Sequence, residues 1–297
     1  MKRVFFIVGP TAVGKSDLAA EVAHQIGAEI LSADAFQIYR GLDLLTAKPD
    51  RETLAKAPHH LISVAPLSEP MHAEKFRAAA EEIIDRGRPV IVVGGTGLYI
   101  KTLTHGLADL PGANETLRAK LGAATNQELF RSLERLDQAG AENIDRHNRR
   151  RLIRAVEVCL LTGEPFSKQR KEWNNVPESH GILLSRDRDD LYARINQRVE
   201  EMFRAGVVEE VRETTHVGPT AEKTLGLREI RALIAGEISA SECIAQIQQA
   251  TRRYAKRQLT WFRRQTNFPS LNLSAHRRSE AIELISQGAS RVLAPND

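Results

Sequence analysis

Residues 9–16, GPTAVGKS, constrain this chain more than any other stretch. They follow the apolar run VFFIV and precede DLAAEVAHQIG, and so lie between a strand pattern and a helix pattern. Successive backbone N–H groups ahead of a helix N-terminus make a cradle of positive partial charge that favours a di- or triphosphate. Lys15 adds a full charge, and Ser16 places a hydroxyl where the G-x-x-x-x-G-K-[ST] pattern holds Mg2+. The expected phosphate-binding residues are Gly9, Pro10, Thr11, Ala12, Val13, Gly14, Lys15 and Ser16, with Mg2+ as cofactor and Ser16 as its ligand.

Strand patterns at VFFIV, AEILSADA and RPVIVVGG are separated by helix patterns such as AEKFRAAAEEIIDRG. This rhythm predicts an α/β fold, a parallel sheet of phosphate-loop type flanked by helices, with ligands gathered at the C-terminal ends of the strands. After LADLPGAN the strand signals stop, and from about residue 115 to Trp173 the pattern is helical and charged until GILLS restores a strand. The expectation is a core built from residues 1–112 and 177–297 around a helical insertion at 113–176. DDLYARINQRVEEMFRAG, KTLGLREIRALIAGEI and ASECIAQIQQATRRYAKRQLTWFRR read as helices of the core.

With 297 residues, 42% of them apolar, the chain can bury a substantial core, and no apolar stretch approaches the length of a membrane span. MKRVFFIVGP runs too soon into the loop to serve as a signal peptide, so a cytoplasmic location is expected. Cys159 and Cys243, far apart in sequence, fit a reducing compartment as buried apolar residues. The net charge of +4 is concentrated in DRHNRRRLIRAVEV and TRRYAKRQLTWFRRQ, which are either solvated helix faces or a polyanion surface.

A phosphate-loop protein that hydrolyses nucleotides usually carries a second acid at the end of a neighbouring strand to hold the metal. VIVV ends instead in Gly94, Gly95, Thr96 and Gly97. The carboxylate is found at Asp34, which closes EILSADA at the same end of the predicted sheet and is a metal ligand, a general base or a helix cap. Phe36 and Gln37 follow it, and an aromatic ring and an amide can stack on and hydrogen-bond a nucleobase.

GPTAVGKS, SADAFQIYRGLDLLTAKP, VGGTGLY, NRRRLIRAVEV and YAKRQLTWFR, in this order, resemble the tRNA dimethylallyltransferases, from the first strand to about Arg264. The resemblance implies transfer of a dimethylallyl group from dimethylallyl diphosphate to the N6 amine of the adenosine 3′-adjacent to the anticodon of tRNA. It makes Asp34, Thr96 and Arg198 the catalytic residues, Asp34 as base toward the amine and Arg198 on the diphosphate. It places tRNA against Asp34, Ala35, Phe36, Gln37 and Thr96, against Arg118, and against Arg150, Arg151, Leu152, Ile153 and Arg154. It adds Lys223, Thr224, Leu225, Gly226, Leu227 and Arg228 from KTLGLR. The partners implied are a tRNA anticodon stem-loop and dimethylallyl diphosphate, with no membrane and a monomeric chain. The chain departs from the family where Gly226-Leu227 replaces a common Gly-Tyr pair and where LLTAKP carries Leu in place of a frequent Gly. The competing readings are an adenylate isopentenyltransferase, for which the Arg-rich insertion has no use, and a phosphate-loop small-molecule kinase with Asp34 activating a hydroxyl.

Overall fold

The computed structural model describes residues 3–107, 110–169 and 179–294. It resolves into two compact units, Met1–Thr104 with Glu178–Asp297 and the intervening His105–Pro177. The second unit thus begins ahead of residue 113, where the sequence sets the insertion, and Trp173 lies outside the described residues.

The first unit opens with β1 (Val4–Val8), α1 (Lys15–Ile26), β2 (Glu29–Ser32), α2 (Arg51–Ala55), β3 (His59–His60), α3 (Ala73–Ile84), β4 (Val90–Gly94) and α4 (Gly97–His105). The second unit holds α5 (Glu115–Ala123), α6 (Asn126–Leu136), α7 (Gln138–Asn143), α8 (Arg149–Thr162) and α9 (Phe166–Gln169). The chain then returns through β5 (His180–Ser185), α10 (Arg188–Arg204), α11 (Val207–Arg212), α12 (Leu227–Ile234), α13 (Ala240–Gln265), β6 (Ser270–Asn272) and α14 (Arg278–Leu293). The sheet has the order β3-β2-β4-β1-β5-β6, and its pairings are parallel. The fold class is the one the sequence predicts. β3 and β6 are additions at the sheet edges, too short and polar to show a strand pattern.

Both faces of a parallel sheet are covered, so successive side chains of its central strands alternate between two cores. Phe5 and Ile7 of β1 and Ile91 and Val93 of β4 enter one core with α1 and α14. Phe6 and Val8, with Val90 and Val92, enter the other with α3, α4 and α13. In register, Val8 stands opposite Gly94 of β4 and Leu183 of β5, and Ser32 of β2 opposite Val93. The loops leaving β1, β2 and β4 therefore emerge side by side.

The second unit packs Leu129, Phe130 and Leu133 of α6 against Leu152, Ala155, Val156 and Cys159 of α8. A capping box between Thr125 and Glu128 starts α6. α8 also buries a carboxylate completely: Glu157 accepts from Arg118 Nε at 2.8 Å, Arg154 Nη1 at 2.9 Å and the Asn114 N–H at 2.9 Å. Burial opposes that charge, but the two guanidinium groups and the backbone N–H outweigh it and hold the carboxyl below its usual range. No helix among the described residues is long and apolar enough to cross a membrane.

Candidate active site

The loop between β1 and α1 is able to turn because Gly14 adopts φ 100°, a left-handed value that a side chain would strain. The first turn of α1 then offers N–H groups with no intrahelical acceptor. Side chains from other elements fasten the loop. Arg186 Nε donates to the Val13 carbonyl and Arg194 Nε to the Ala12 carbonyl, both at 3.0 Å, and Gln258 Oε1 accepts the Thr11 N–H at 2.8 Å.

Above the loop lies a cavity of about 380 Å³ lined by Thr11, Ala12, Gly14, Lys15, Ser16, Asp34, Gln37, Arg198 and Gln258, among others. It shares Thr11, Asp34, Thr46, Ala47 and Arg198 with a smaller recess of about 70 Å³, whose walls are apolar: Leu45, Ile195, Val199, Met202, Leu225 and Ile247, with Phe36 and Tyr254. A polar chamber thus opens beside an apolar one, with a carboxylate and a guanidinium at the shared boundary.

Arg198 donates no hydrogen bond to the described residues and forms no ion pair within 4 Å with them. Burial and the neighbouring Arg194 both work against its charge, while Asp17, Glu201 and Asp34 favour it. Arg198 is half-buried at the cavity wall, and a guanidinium so placed can pair an anionic phosphate through parallel N–H···O bonds. Lys15 Nζ donates to the Pro10 carbonyl at 2.7 Å. Burial pushes its ammonium down to about 8, an effect that the charge of Arg198 reinforces and that of Asp34 opposes.

This shift gives a pH dependence. An anion in the cavity raises the Lys15 pKa again, so binding takes up a proton wherever the free group has lost one. The ratio of wild-type to Lys15→Ala diphosphate affinity, in which the ligand's own titration cancels, should be level below about pH 8 and fall by up to about tenfold per unit above it. Calorimetric titration of both proteins with inorganic diphosphate from pH 6.5 to 9.5 checks this. A flat ratio across pH 8 would remove Lys15 from the anion site.

Asp34 leaves the end of β2 and does two things. Its Oδ1 accepts the N–H groups of Phe36 at 2.9 Å and Gln37 at 3.3 Å, capping the turn that follows, and no hydrogen bond from the described residues reaches Oδ2. The cap reading and the general-base reading are therefore compatible, one for each oxygen. Thr96, after β4, accepts the Ala35 N–H on Oγ1 at 2.9 Å and donates its own N–H to the Ala33 carbonyl, joining the β2 and β4 loops. It does not line the main cavity, as Asp34 and Arg198 do.

Several residues singled out in the sequence are occupied otherwise. The Gln37 amide donates to the Thr46 and Ala47 carbonyls and accepts from Ser32 Oγ, so its hydrogen bonds go to its own chain rather than to a base. Leu152 and Leu227 are fully buried and present no side chain to a ligand. The Leu227 finding settles the Gly-Tyr departure, because a side chain at that position packs into a core with Val199, Val211 and Ile230. KTLG is not part of the α-helix: Lys223 ends a short 3-10 turn (Ala221–Lys223), α12 begins at Leu227, after Gly226 at φ 92°, and Thr224 donates to the Ala221 carbonyl while lining the apolar recess with Leu225. Arg228 is exposed beside Glu229. In the second unit Arg118 and Arg154 are committed to Glu157, Ile153 is partly buried, and Arg150 and Arg151 are exposed with no side-chain partner among the described residues.

Sequence reasoning missed Arg186, Arg194 and Gln258, which brace the loop, and Lys48. The Lys48 ammonium is nearly enclosed and bonds the Gly41 carbonyl at 3.0 Å and Ser63 Oγ at 2.8 Å, tying down the loop that also supplies Ala47 to both cavities. Their only signal is a polar residue placed in an otherwise ordinary helix or turn.

For the metal, the described residues contain no group of three His, Cys, Asp or Glu side chains able to hold an ion. Ser16 lines the cavity with no hydroxyl partner among the described residues. That donor set suits Mg2+, which keeps several waters and is carried by few protein oxygens plus a phosphate.

The family described as IPP transferase matches residues 37–265. The tRNA dimethylallyltransferase of Geobacter sulfurreducens is 43% identical over 277 residues, covering 88% of this chain and 89% of that protein. That of Akkermansia muciniphila is 42% identical over 267 residues, covering 88% and 90%. Among solved structures, the full-length tRNA isopentenylpyrophosphate transferase of Bacillus halodurans superposes with a TM-score of 0.72 at 32% identity, over 99% of this chain and 97% of that one. A phosphate loop facing a carboxylate across one cavity, on a sheet of this order and with relatives of this similarity over nearly the whole length, leads to one assignment: the chain belongs to the IPP transferase family.

Proposed function

We propose that this enzyme transfers the dimethylallyl group of dimethylallyl diphosphate to the exocyclic amine of the adenosine on the 3′ side of a tRNA anticodon. The observation that carries the reading is the convergence of Lys15 and the partnerless Arg198 on one cavity with Asp34, in a chain whose relatives are named tRNA dimethylallyltransferase. The polar chamber takes the diphosphate, and the reacting ends of donor and base meet at its boundary with the apolar recess.

The amine nitrogen attacks the donor's first carbon with its lone pair. The carbon–oxygen bond breaks, and its electron pair leaves with the diphosphate. The amine is a poor nucleophile because its lone pair is delocalised into the ring, so the proton it sheds passes to Asp34, whose Oδ2 accepts no hydrogen bond from the described residues. Lys15, Arg198 and the loop N–H groups stabilise the growing charge on the leaving group. Ser16 would hold Mg2+ at this cavity, where the ion would supply further charge neutralisation. Apolar walls from Leu45, Met202 and Ile247 keep water from the allylic carbon.

A kinase reading gains no support at β4, which runs into Gly95 and Thr96 and places no acid there. The test is to incubate the protein and Mg2+ with an anticodon stem-loop RNA and either dimethylallyl diphosphate or ATP. RNA-dependent release of diphosphate from the prenyl donor, without comparable ATP hydrolysis, is the expected result. ATP turnover at the same rate would contradict it. Both cysteines are buried free thiols, which accords with work in the cytoplasm, and the enzyme is proposed to act there as a monomer.

RNA contact in the second unit falls to Arg150 and Arg151. Replacing both with Ala should weaken stem-loop binding and lower its salt slope by about one to two, with donor affinity and thermal melting unchanged. Arg154→Ala should instead lower the melting temperature, because it removes a partner from the buried Glu157. An unaltered salt slope in the Arg150, Arg151 double variant would return both residues to the solvated surface.

A further inference from the structure

YAKRQLTWFR carries part of the family resemblance, yet the roles assigned above leave most of it unused. Gln258, at its centre, is buried on α13, and its amide joins two loops. Oε1 accepts the Thr11 N–H of the phosphate loop, and Nε2 donates to the Gly95 carbonyl just beyond β4, each at 2.8 Å. A Cβ on Gly95 would stand 2.3 Å from Nε2, so the amide docks only because residue 95 is glycine. One turn earlier on α13, Tyr254 lines the smaller recess together with Thr11 and Asp34, and the Thr96 and Gln258 side chains act on its hydroxyl, whose pKa burial raises. Thr96 in turn holds the Ala35 N–H. Gln258 thus ties the phosphate loop at Thr11 to Gly95, and the next residue along, Thr96, ties the same β4 turn to Ala35 beside Asp34.

We propose that Gln258 is a positioning residue for the transfer, setting the spacing between the phosphate loop that grips the donor and the Asp34 segment that meets the acceptor. The inference rests on the proposed function and adds a residue to it. Attack on carbon needs the amine, the carbon and the departing oxygen in line, and a displacement of about 1 Å can cost on the order of a hundredfold in rate. Gln258 is the side chain that bonds both the phosphate loop and the β4 turn, so it controls alignment without touching either reacting atom.

Three variants test this. Gln258→Met keeps the length and loses both bonds, Gln258→Glu keeps only the acceptor for Thr11, and Tyr254→Phe removes the hydroxyl alone. Single-turnover transfer is measured with enzyme in excess, together with donor and stem-loop Kd values and thermal melting. Gln258→Met should slow transfer roughly 10- to 100-fold with both Kd values within about threefold of wild type, and Gln258→Glu, which turns a carboxylate oxygen toward the Gly95 carbonyl and adds charge beside the diphosphate, should be slowed at least as much. Adding Tyr254→Phe to Gln258→Met should cost less than Tyr254→Phe alone, as expected of two side chains that act on each other. A side chain that merely fills space would lower the melting temperature without changing the rate constant of the folded protein. A wild-type rate constant in folded Gln258→Met overturns the inference, and so does a loss that follows stem-loop Kd alone, which would make Gln258 an RNA contact. If wild-type protein transfers no prenyl group, the functional reading fails and the inference with it. Wild-type transfer matched by Gln258→Met overturns the inference only.

Discussion

Asp34→Asn should slow single-turnover prenyl transfer by roughly 10²- to 10⁴-fold while donor and tRNA affinities stay near wild type. The substitution keeps the oxygen that caps Phe36 and Gln37, so the turn after β2 is retained. It removes the negative charge and the basic site on the other oxygen, which matter only as the amine becomes cationic and sheds its proton. Affinities unchanged with the rate lost is the signature of an interaction confined to the transition state. Thermal melting verifies the fold. A folded Asn variant that transfers at wild-type rate would leave Asp34 as a cap alone.

Lys15→Ala is expected to be the second most damaging change, lowering the rate about 10²- to 10³-fold. The ammonium is held at the phosphate loop by the Pro10 carbonyl, and the bound donor's charge replaces the solvation it lacks. Because the leaving diphosphate gains charge as the carbon–oxygen bond breaks, the loss should be larger in the single-turnover rate than in donor Kd. The same variant should also lack the fall in diphosphate affinity that the wild type shows relative to it above about pH 8, since the titrating group is gone. A Lys15→Ala profile parallel to that of the wild type would assign the titration to another group.

Legibility in the sequence followed the range over which each feature is encoded. β1, the phosphate loop and α1 are contiguous, and a strand, a Gly-rich turn and a helix can be read from adjacent residues. β3, residues His59 and His60, exists only because β2 lies alongside, and nothing in two histidines signals a strand. Asp34 is recognisable as a polar residue closing an apolar strand, but that one of its oxygens caps the following turn depends on where the Phe36 and Gln37 N–H groups turn.

The arginines show the same limit from the other side. In the sequence Arg154 belongs to the stretch that the resemblance sets against tRNA, and nothing marks Glu157, three residues on, as a buried partner for it. Only the arrival of Arg118 and Asn114 from α5 and its cap turns Glu157 into a buried hub and takes two cations away from the free surface. Gln37 looked free to read a base because the segment that captures its amide, Thr46 and Ala47, is a loop with Ala47 at φ 48°. Gln258 is a neutral residue within a basic helix, and its partners, Thr11 and Gly95, are far from it in sequence.

On the proposed function, one cavity serves a prenyl diphosphate and an RNA base. Mass spectrometry of an anticodon stem-loop incubated with protein, Mg2+ and dimethylallyl diphosphate, followed by digestion to nucleosides, tests it most directly. The account predicts a mass gain of one dimethylallyl unit on the adenosine 3′ to the anticodon, absent when ATP replaces the donor and absent when that adenosine is replaced by guanosine. Unmodified RNA beside a prenylated free adenine nucleotide, or a phosphorylated product formed with ATP, would contradict it.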